Sequence, residues 1–134
     1  MSDAFPVTVF HNPACGTSRN VVAMVEAAGY RPEVVEYLKA GWTAGQLDAL
    51  FAEAGITPRD ALRDKGTPAA ELGLLEPGAA DAAILSAMVE HPVLVNRPIV
   101  RTPKGTAMCR PSEKVFDLLE RRPERFVKED GEVV

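Results

Sequence analysis

Apolar residues fall in short blocks along the chain, and the spacing within each block changes from element to element. Val7 to Phe10 is a continuous β-branched and aromatic run, the pattern of a buried strand. Asn12-Pro13 breaks it and Gly16 loosens the turn. From Thr17 or Ser18 the spacing becomes helical, with Val21, Val22, Met24 and Val25 on one side and Gly29 as the stop signal. Glu33 to Leu38 reads as a second strand. Thr43-Ala44-Gly45-Gln46 resembles a capping box ahead of Leu47, Leu50 and Phe51, and Gly55 closes that helix. Thr57-Pro58 repeats the start signal for a short helix through Leu62 to Asp64, since proline fits the first helical position.

A further helix is expected over Asp81 to Glu90, with Ile84, Leu85, Met88 and Val89 turned inward. Val93-Leu94-Val95 and Ile99-Val100 are short apolar runs interrupted by Asn96-Arg97-Pro98. Thr102 to Thr106 carries the proline and glycine of a hairpin turn leading into Ala107-Met108-Cys109. Pro111-Ser112-Glu113 opens a last helix with Val115, Phe116, Leu118 and Leu119 as its stripe. Beyond Pro123 the tail is polar and expected to fray. Strands joined through helices imply parallel pairing, and the late hairpin implies an antiparallel pair. A βαβ unit followed by a ββα unit is the layout of a thioredoxin-like α/β fold. The expectation is a mixed sheet of about four strands flanked by helices, with a helical insertion between the two units. One domain is expected over 1–134, with its core at about 7–122.

Composition narrows the function. At 134 residues, 46% apolar and 25% charged, the chain is ordinary for a globular domain. Such a chain buries about two thirds of its unfolded surface and needs no disulfide or structural metal to fold. A net charge of −4 gives no basic face for nucleic acid, so an anion would need a local arginine cluster. No long apolar run predicts a membrane span, and Met1 to Pro6 lacks the features of a signal peptide. A reducing cytoplasm is therefore expected, where two cysteines are more readily free than bridged, and the chain is expected to be a monomer with no nucleic-acid or membrane partner. With neither a Cys-x-x-Cys pair nor a metal-type Cys/His cluster, no metal is expected.

Cys15 is the sharpest candidate, in a loop between the first strand and the first helix. A helix N-terminus offers free N–H groups and the positive end of the macrodipole; both stabilise a thiolate, and the thiolate is the nucleophile. The amides of Gly16, Thr17 and Ser18 would surround an oxyanion there, with Arg19 adding charge. A free cysteine is as readily a small buried hydrophobe, and that is the reading for Cys109 beside Met108. His11 orients or protonates the loop, or is a hydrogen-bonded neighbour at a strand end. His91 sits where a helix C-terminus favours it. Ser18 donates to the thiolate or caps the helix. Arg63, Arg97 and Arg110 stand at loop or helix ends, and arginine's fork of donors matches a tetrahedral oxyanion. Spacing does not establish that the three converge.

The run from His11-Asn12-Pro13-Ala14-Cys15 through Gly16-Thr17-Ser18-Arg19-Asn20 resembles the signature loop of the glutaredoxin-coupled arsenate reductases. His91 to Val100, containing Asn96-Arg97-Pro98, and Cys109-Arg110-Pro111-Ser112-Glu113 are similar to two further segments of that family, and Leu62-Arg63 to a fourth. The similarity runs from about Val7 to Arg122. The resemblance implies that Cys15 attacks arsenate, that Arg63, Arg97 and Arg110 hold it, and that His11 and Ser18 tune the cysteine. It implies a cis bond before Pro98. It also names glutathione as co-substrate and glutaredoxin as electron donor, with no tightly bound cofactor. Two other readings share the fold: a regulator that binds RNA polymerase, which typically carries a Cys-x-x-Cys switch absent here, and a glutathione-dependent disulfide reductase, which has less need of three arginines.

Overall fold

In the computed structural model, which describes residues 5–134, the sheet is arranged about β1 (Thr8–His11). β2 (Glu33–Glu36) lies on one side of it, and β3 (Ile99–Thr102) followed by β4 (Gly105–Met108) on the other. β1 runs parallel to β2, His11 opposite Glu36, and antiparallel to β3, Phe10 opposite Ile99. β3 and β4 form an antiparallel hairpin, Ile99 opposite Met108. The central position of β1 accounts for its continuous apolar run: Val9, Phe10 and His11 are all buried. The thioredoxin-like mixed sheet of four strands is thus present, and it is shared with solved structures described below.

The chain divides into two compact units, one within 5–36 and 97–134 and the other within 37–96. The first holds the sheet and α1 (Gly16–Ala27), whose Val21, Met24 and Val25 are buried with Val100, Val115 and Phe116. Gly29 follows α1 at φ 97°, and Tyr30 N–H returns to the Val25 carbonyl. Only glycine takes that left-handed geometry readily. The second unit contains α2 (Tyr37–Ala40), α3 (Ala44–Ala54), α4 (Pro58–Ala61) and α5 (Asp81–Glu90), then a 3-10 turn at Pro92–Leu94. Leu47, Leu50, Ile84, Met88, Leu94 and Val95 are among its fully buried residues. The caps expected for α3 and α4 are in place: Thr43 accepts from Gln46 N–H, and Thr57 and Asp60 form a reciprocal box.

Four expectations change. The second strand ends at Glu36 rather than Leu38, because Tyr37 turns into α2. Its buried ring stacks on Trp42 at 5.0 Å and its hydroxyl donates to the Val95 carbonyl. The helix after Thr57 stops at Ala61, since Leu62 becomes extended and pairs with Val95. The last helix, Ser112–Leu118, is a 3-10 helix in which Ser112, Val115 and Leu118 are buried three apart, the period of that geometry. The polar tail is a hairpin rather than a frayed end. Val127 pairs with Val133, the Phe126 and Val134 backbones exchange hydrogen bonds, and both side chains lie against the first unit's core. Asp130-Gly131, with Gly131 at φ 91°, makes the turn between these apolar residues.

Candidate active site

The site forms where the carboxyl end of β1 meets the start of β3. Asn12 makes the exit turn: its side-chain oxygen accepts from Ala14 N–H at 2.9 Å and its carbonyl from Cys15 N–H at 3.0 Å. This places Cys15 in extended conformation at the N-cap of α1, where its carbonyl accepts from Arg19 N–H. The amides of Gly16, Thr17 and Ser18 precede that first helical bond. Asn12 is itself 4% exposed, and its role in the turn went unread in the sequence. The Asn-Pro pair was the available signal, taken there only as a strand breaker.

The β3–β4 hairpin supplies two arginines. Antiparallel pairing sets the residues before β3 beside those after β4, and Cys109 N–H donates to the Pro98 carbonyl. Arg97 and Arg110 therefore emerge together, and Arg110 Nη1 donates to the Arg97 carbonyl at 2.8 Å. The same nitrogen stands 3.8 Å from Cys15 Sγ. The bonds before Pro98 and before Pro111 are both cis; only the first was expected. Arg63 belongs to the second unit, where it donates to Asn96 Oδ1 and the Lys65 carbonyl.

Burial pushes the Cys15 thiol up. The Ser18 backbone N–H, then the Arg97 and Arg110 side chains, favour the thiolate more strongly and bring the group down to about 7. Ser18 thus meets the sulfur through its amide. Its hydroxyl, fully buried, faces His11 Nδ1 at 2.6 Å and accepts from Asn12 N–H at 3.1 Å. His11 is held below its usual range by burial, opposed by Glu36 across the sheet and aided by Arg19. Cys109 is the contrast: it is fully buried, and that burial raises its thiol to about 12. Among the described residues, no group of three or more His, Cys, Asp or Glu is placed to hold a metal, and no helix is long and apolar enough to cross a membrane.

A sheet of this topology, with a cysteine heading its first helix and two arginines favouring its thiolate, defines a protein of the thioredoxin-like class. Residues 10–118 match the ArsC family, and the chain belongs to it. It is 61% identical over 129 residues to arsenate reductase ArsI2 of a Synechocystis strain, covering 96% of this chain and 92% of that one. It is 56% identical to an arsenate reductase of Rhizobium meliloti, again over 96% and 92% of the two chains. A solved arsenate reductase from Vibrio cholerae superposes with a TM-score of 0.81 at 34% identity, over 86% of this chain and 98% of the other.

Proposed function

We propose that this chain is an arsenate reductase that uses Cys15 as its only reacting thiol and draws electrons from glutathione and glutaredoxin. One observation carries the reading: an acidified sulfur at a helix head, with the Ser18 amide and the Arg97 and Arg110 side chains directed at it. Identities above 50% to named arsenate reductases support the substrate.

The Cys15 thiolate attacks arsenic and displaces one oxygen as water, forming a sulfur–arsenic bond. The first-turn amides and the arginines stabilise the charge that gathers on the remaining oxygens. Glutathione then displaces a second oxygen as water to form a second sulfur–arsenic bond, and a thiol of glutaredoxin attacks the glutathione sulfur and breaks that bond. Two electrons pass to arsenic, water cleaves the sulfur–arsenic bond to release arsenite and the Cys15 thiol, and glutathione and glutaredoxin end as one disulfide. The overall change is arsenate plus two thiols to arsenite, a disulfide and water, with Cys15 regenerated. His11 and Ser18 hold the loop in this scheme. Both cysteines are free thiols, which suits a reducing cytoplasm and a monomer fed by soluble thiols.

Arsenate-dependent NADPH oxidation with glutathione, glutaredoxin and glutathione reductase tests the proposal. Turnover is expected for wild type and not for Cys15→Ser or without glutaredoxin. A folded wild type that turns over disulfides and leaves arsenate untouched would sink it.

A further inference from the structure

The C-terminal hairpin brings a carboxylate to the loop that carries Cys15. Glu129 accepts from Arg19 through both oxygens, from Nε at 2.9 Å and from Nη2 at 3.0 Å. The remaining arm, Nη1, donates to the Pro13 carbonyl at 2.8 Å. One guanidinium therefore spans the tail and the turn just before the nucleophile. A methyl group placed on Gly16 would stand 3.6 Å from Glu129 Oε1, so the pair lies against the first residue of α1.

The hairpin that delivers Glu129 is held at several points. Glu129 N–H donates to Asn20 Oδ1 at 3.0 Å, and the largely buried Lys128 ammonium is paired with Glu113 at 2.6 Å and Glu132 at 3.0 Å. Arg19 and Glu129 are themselves about half exposed, and such pairs contribute little to stability. Their geometry is bidentate, which fixes direction as well as distance. Arg19 in turn holds the Glu129 carboxyl below the usual carboxylate range.

We propose that Arg19 and Glu129 are positioning residues for Cys15: the pair pins the Pro13 carbonyl and keeps the positive charge at the head of α1 balanced. The tail is then part of the reactive loop's scaffold. The charges that face this region are Arg97 and Arg110 from the β3–β4 hairpin, Arg19 on α1, and Glu129 on the tail. On the adjoining strands His11 and Glu36 face each other, Lys128 is taken up by Glu113 and Glu132, and Asp130 accepts from Glu132 N–H. Arg19 and Cys15 interact through their charges, Glu129 offsets part of that charge, and the thiolate is favoured by Ser18, Arg97 and Arg110. The proposal rests on Cys15 as the reacting thiol and not on arsenate as the substrate.

The test is the pH dependence of Cys15 alkylation by iodoacetamide, read by peptide mass, in wild type, Glu129→Gln, Arg19→Gln and the double variant. Glutamine at 129 still accepts from Arg19 but leaves its charge unbalanced, so the midpoint is expected to fall by about half a unit. Glutamine at 19 leaves the Glu129 carboxylate without its cation against the first residue of α1, and the midpoint is expected to rise by a similar amount. The double variant should return close to wild type, and Glu129→Asp should stay closest of the single changes. A loosened hairpin alone would move both single variants the same way. Shifts in one direction, or none in either, overturn the proposal. If Arg19→Gln is not recovered folded, the Glu129→Gln midpoint decides: it falls, or the proposal fails. Absent arsenate turnover with opposed alkylation shifts would remove the substrate reading and leave this one standing.

Discussion

The Ser18 hydroxyl and His11 Nδ1 lie 2.6 Å apart, both side chains buried. The same oxygen accepts from Asn12 N–H, so one atom joins the end of β1, the exit turn and the first turn of α1. With His11 neutral and protonated at Nε2, Ser18 donates to Nδ1 while accepting from Asn12, and all three groups are satisfied. Ser18 is thus a structural knot of the loop, and its amide is the part directed at the sulfur.

Ser18→Ala is expected to leave the Asn12 amide and His11 Nδ1 without a buried partner. Stranding such groups costs about 1 to 3 kcal/mol, which urea unfolding would register. The helical amide at position 18 survives the change, so the alkylation midpoint of Cys15 should stay near wild type. A midpoint that climbs by a full unit while stability holds would show that the hydroxyl acts on the sulfur after all.

Cys15 reactivity should follow a single titration near neutrality. The thiol lies at about 7, so alkylation is expected to rise tenfold per pH unit below that value and to level off above it. The sign for stability follows. A thiol lowered from an ordinary value of 9.0 contributes stability that is present above 9.0 and is lost as pH falls through about 7. Stopped alkylation between pH 5 and 9 measures the first effect. A midpoint at the ordinary thiol value would show that the Ser18 amide and the arginines do not outweigh burial.

Much of this site was legible because local chemistry dictates it. Asn12-Pro13 and Gly16 between a strand run and a helical run place Cys15 at a helix head whatever the rest of the chain does. Thr43, Thr57 and Gly55 act within a few residues and cap their helices, although the reciprocal box read at Thr43 is found at Thr57 with Asp60. What failed depended on distant partners. Tyr37 leaves the strand pattern because Trp42 and the Val95 carbonyl receive it. Leu62 leaves its helix because Val95 offers an extended partner. The tail is polar by composition, yet Phe126, Val127, Val133 and Val134 flank an Asp-Gly turn. The charged residues around them mask that local signal in the composition. The convergence of Arg97 with Arg110 required the hairpin register, which spacing along the chain does not contain.

Arg110→Gln should impair both the thiol and the oxyanion site. Arg110 Nη1 is shared between Cys15 Sγ and the Arg97 carbonyl, so its loss removes a thiolate donor and an anchor for its neighbour. The Cys15 midpoint is expected to rise above wild type. Losing one charge-assisted donor of about 1.5 to 3 kcal/mol corresponds to a roughly ten- to hundredfold fall in arsenate kcat/KM. Arg110→Lys should recover part of the midpoint shift and little of the kcat/KM, because an ammonium lacks the planar pair of donors that a guanidinium presents to an oxyanion. Equal kinetics for the two variants would mean that charge alone matters at this position.

Cys109 should be chemically silent in the folded protein. It is fully buried and its thiol is raised to about 12, chiefly by desolvation, with Lys114 lowering it and Asp117 raising it. Essentially no thiolate exists at pH 8, so iodoacetamide is expected to add once to the native chain and twice to the unfolded one, by intact mass. Cys109→Ser buries a hydroxyl in an apolar site and should cost about 1 to 3 kcal/mol of stability. Turnover at a temperature where the variant remains folded should stay near wild type, since no step of the single-thiol scheme needs a second sulfur. Loss of turnover comparable to that of Cys15→Ser, in a variant shown to be folded, would instead make Cys109 a resolving thiol. The electrons would then reach arsenic through an internal disulfide rather than through glutathione.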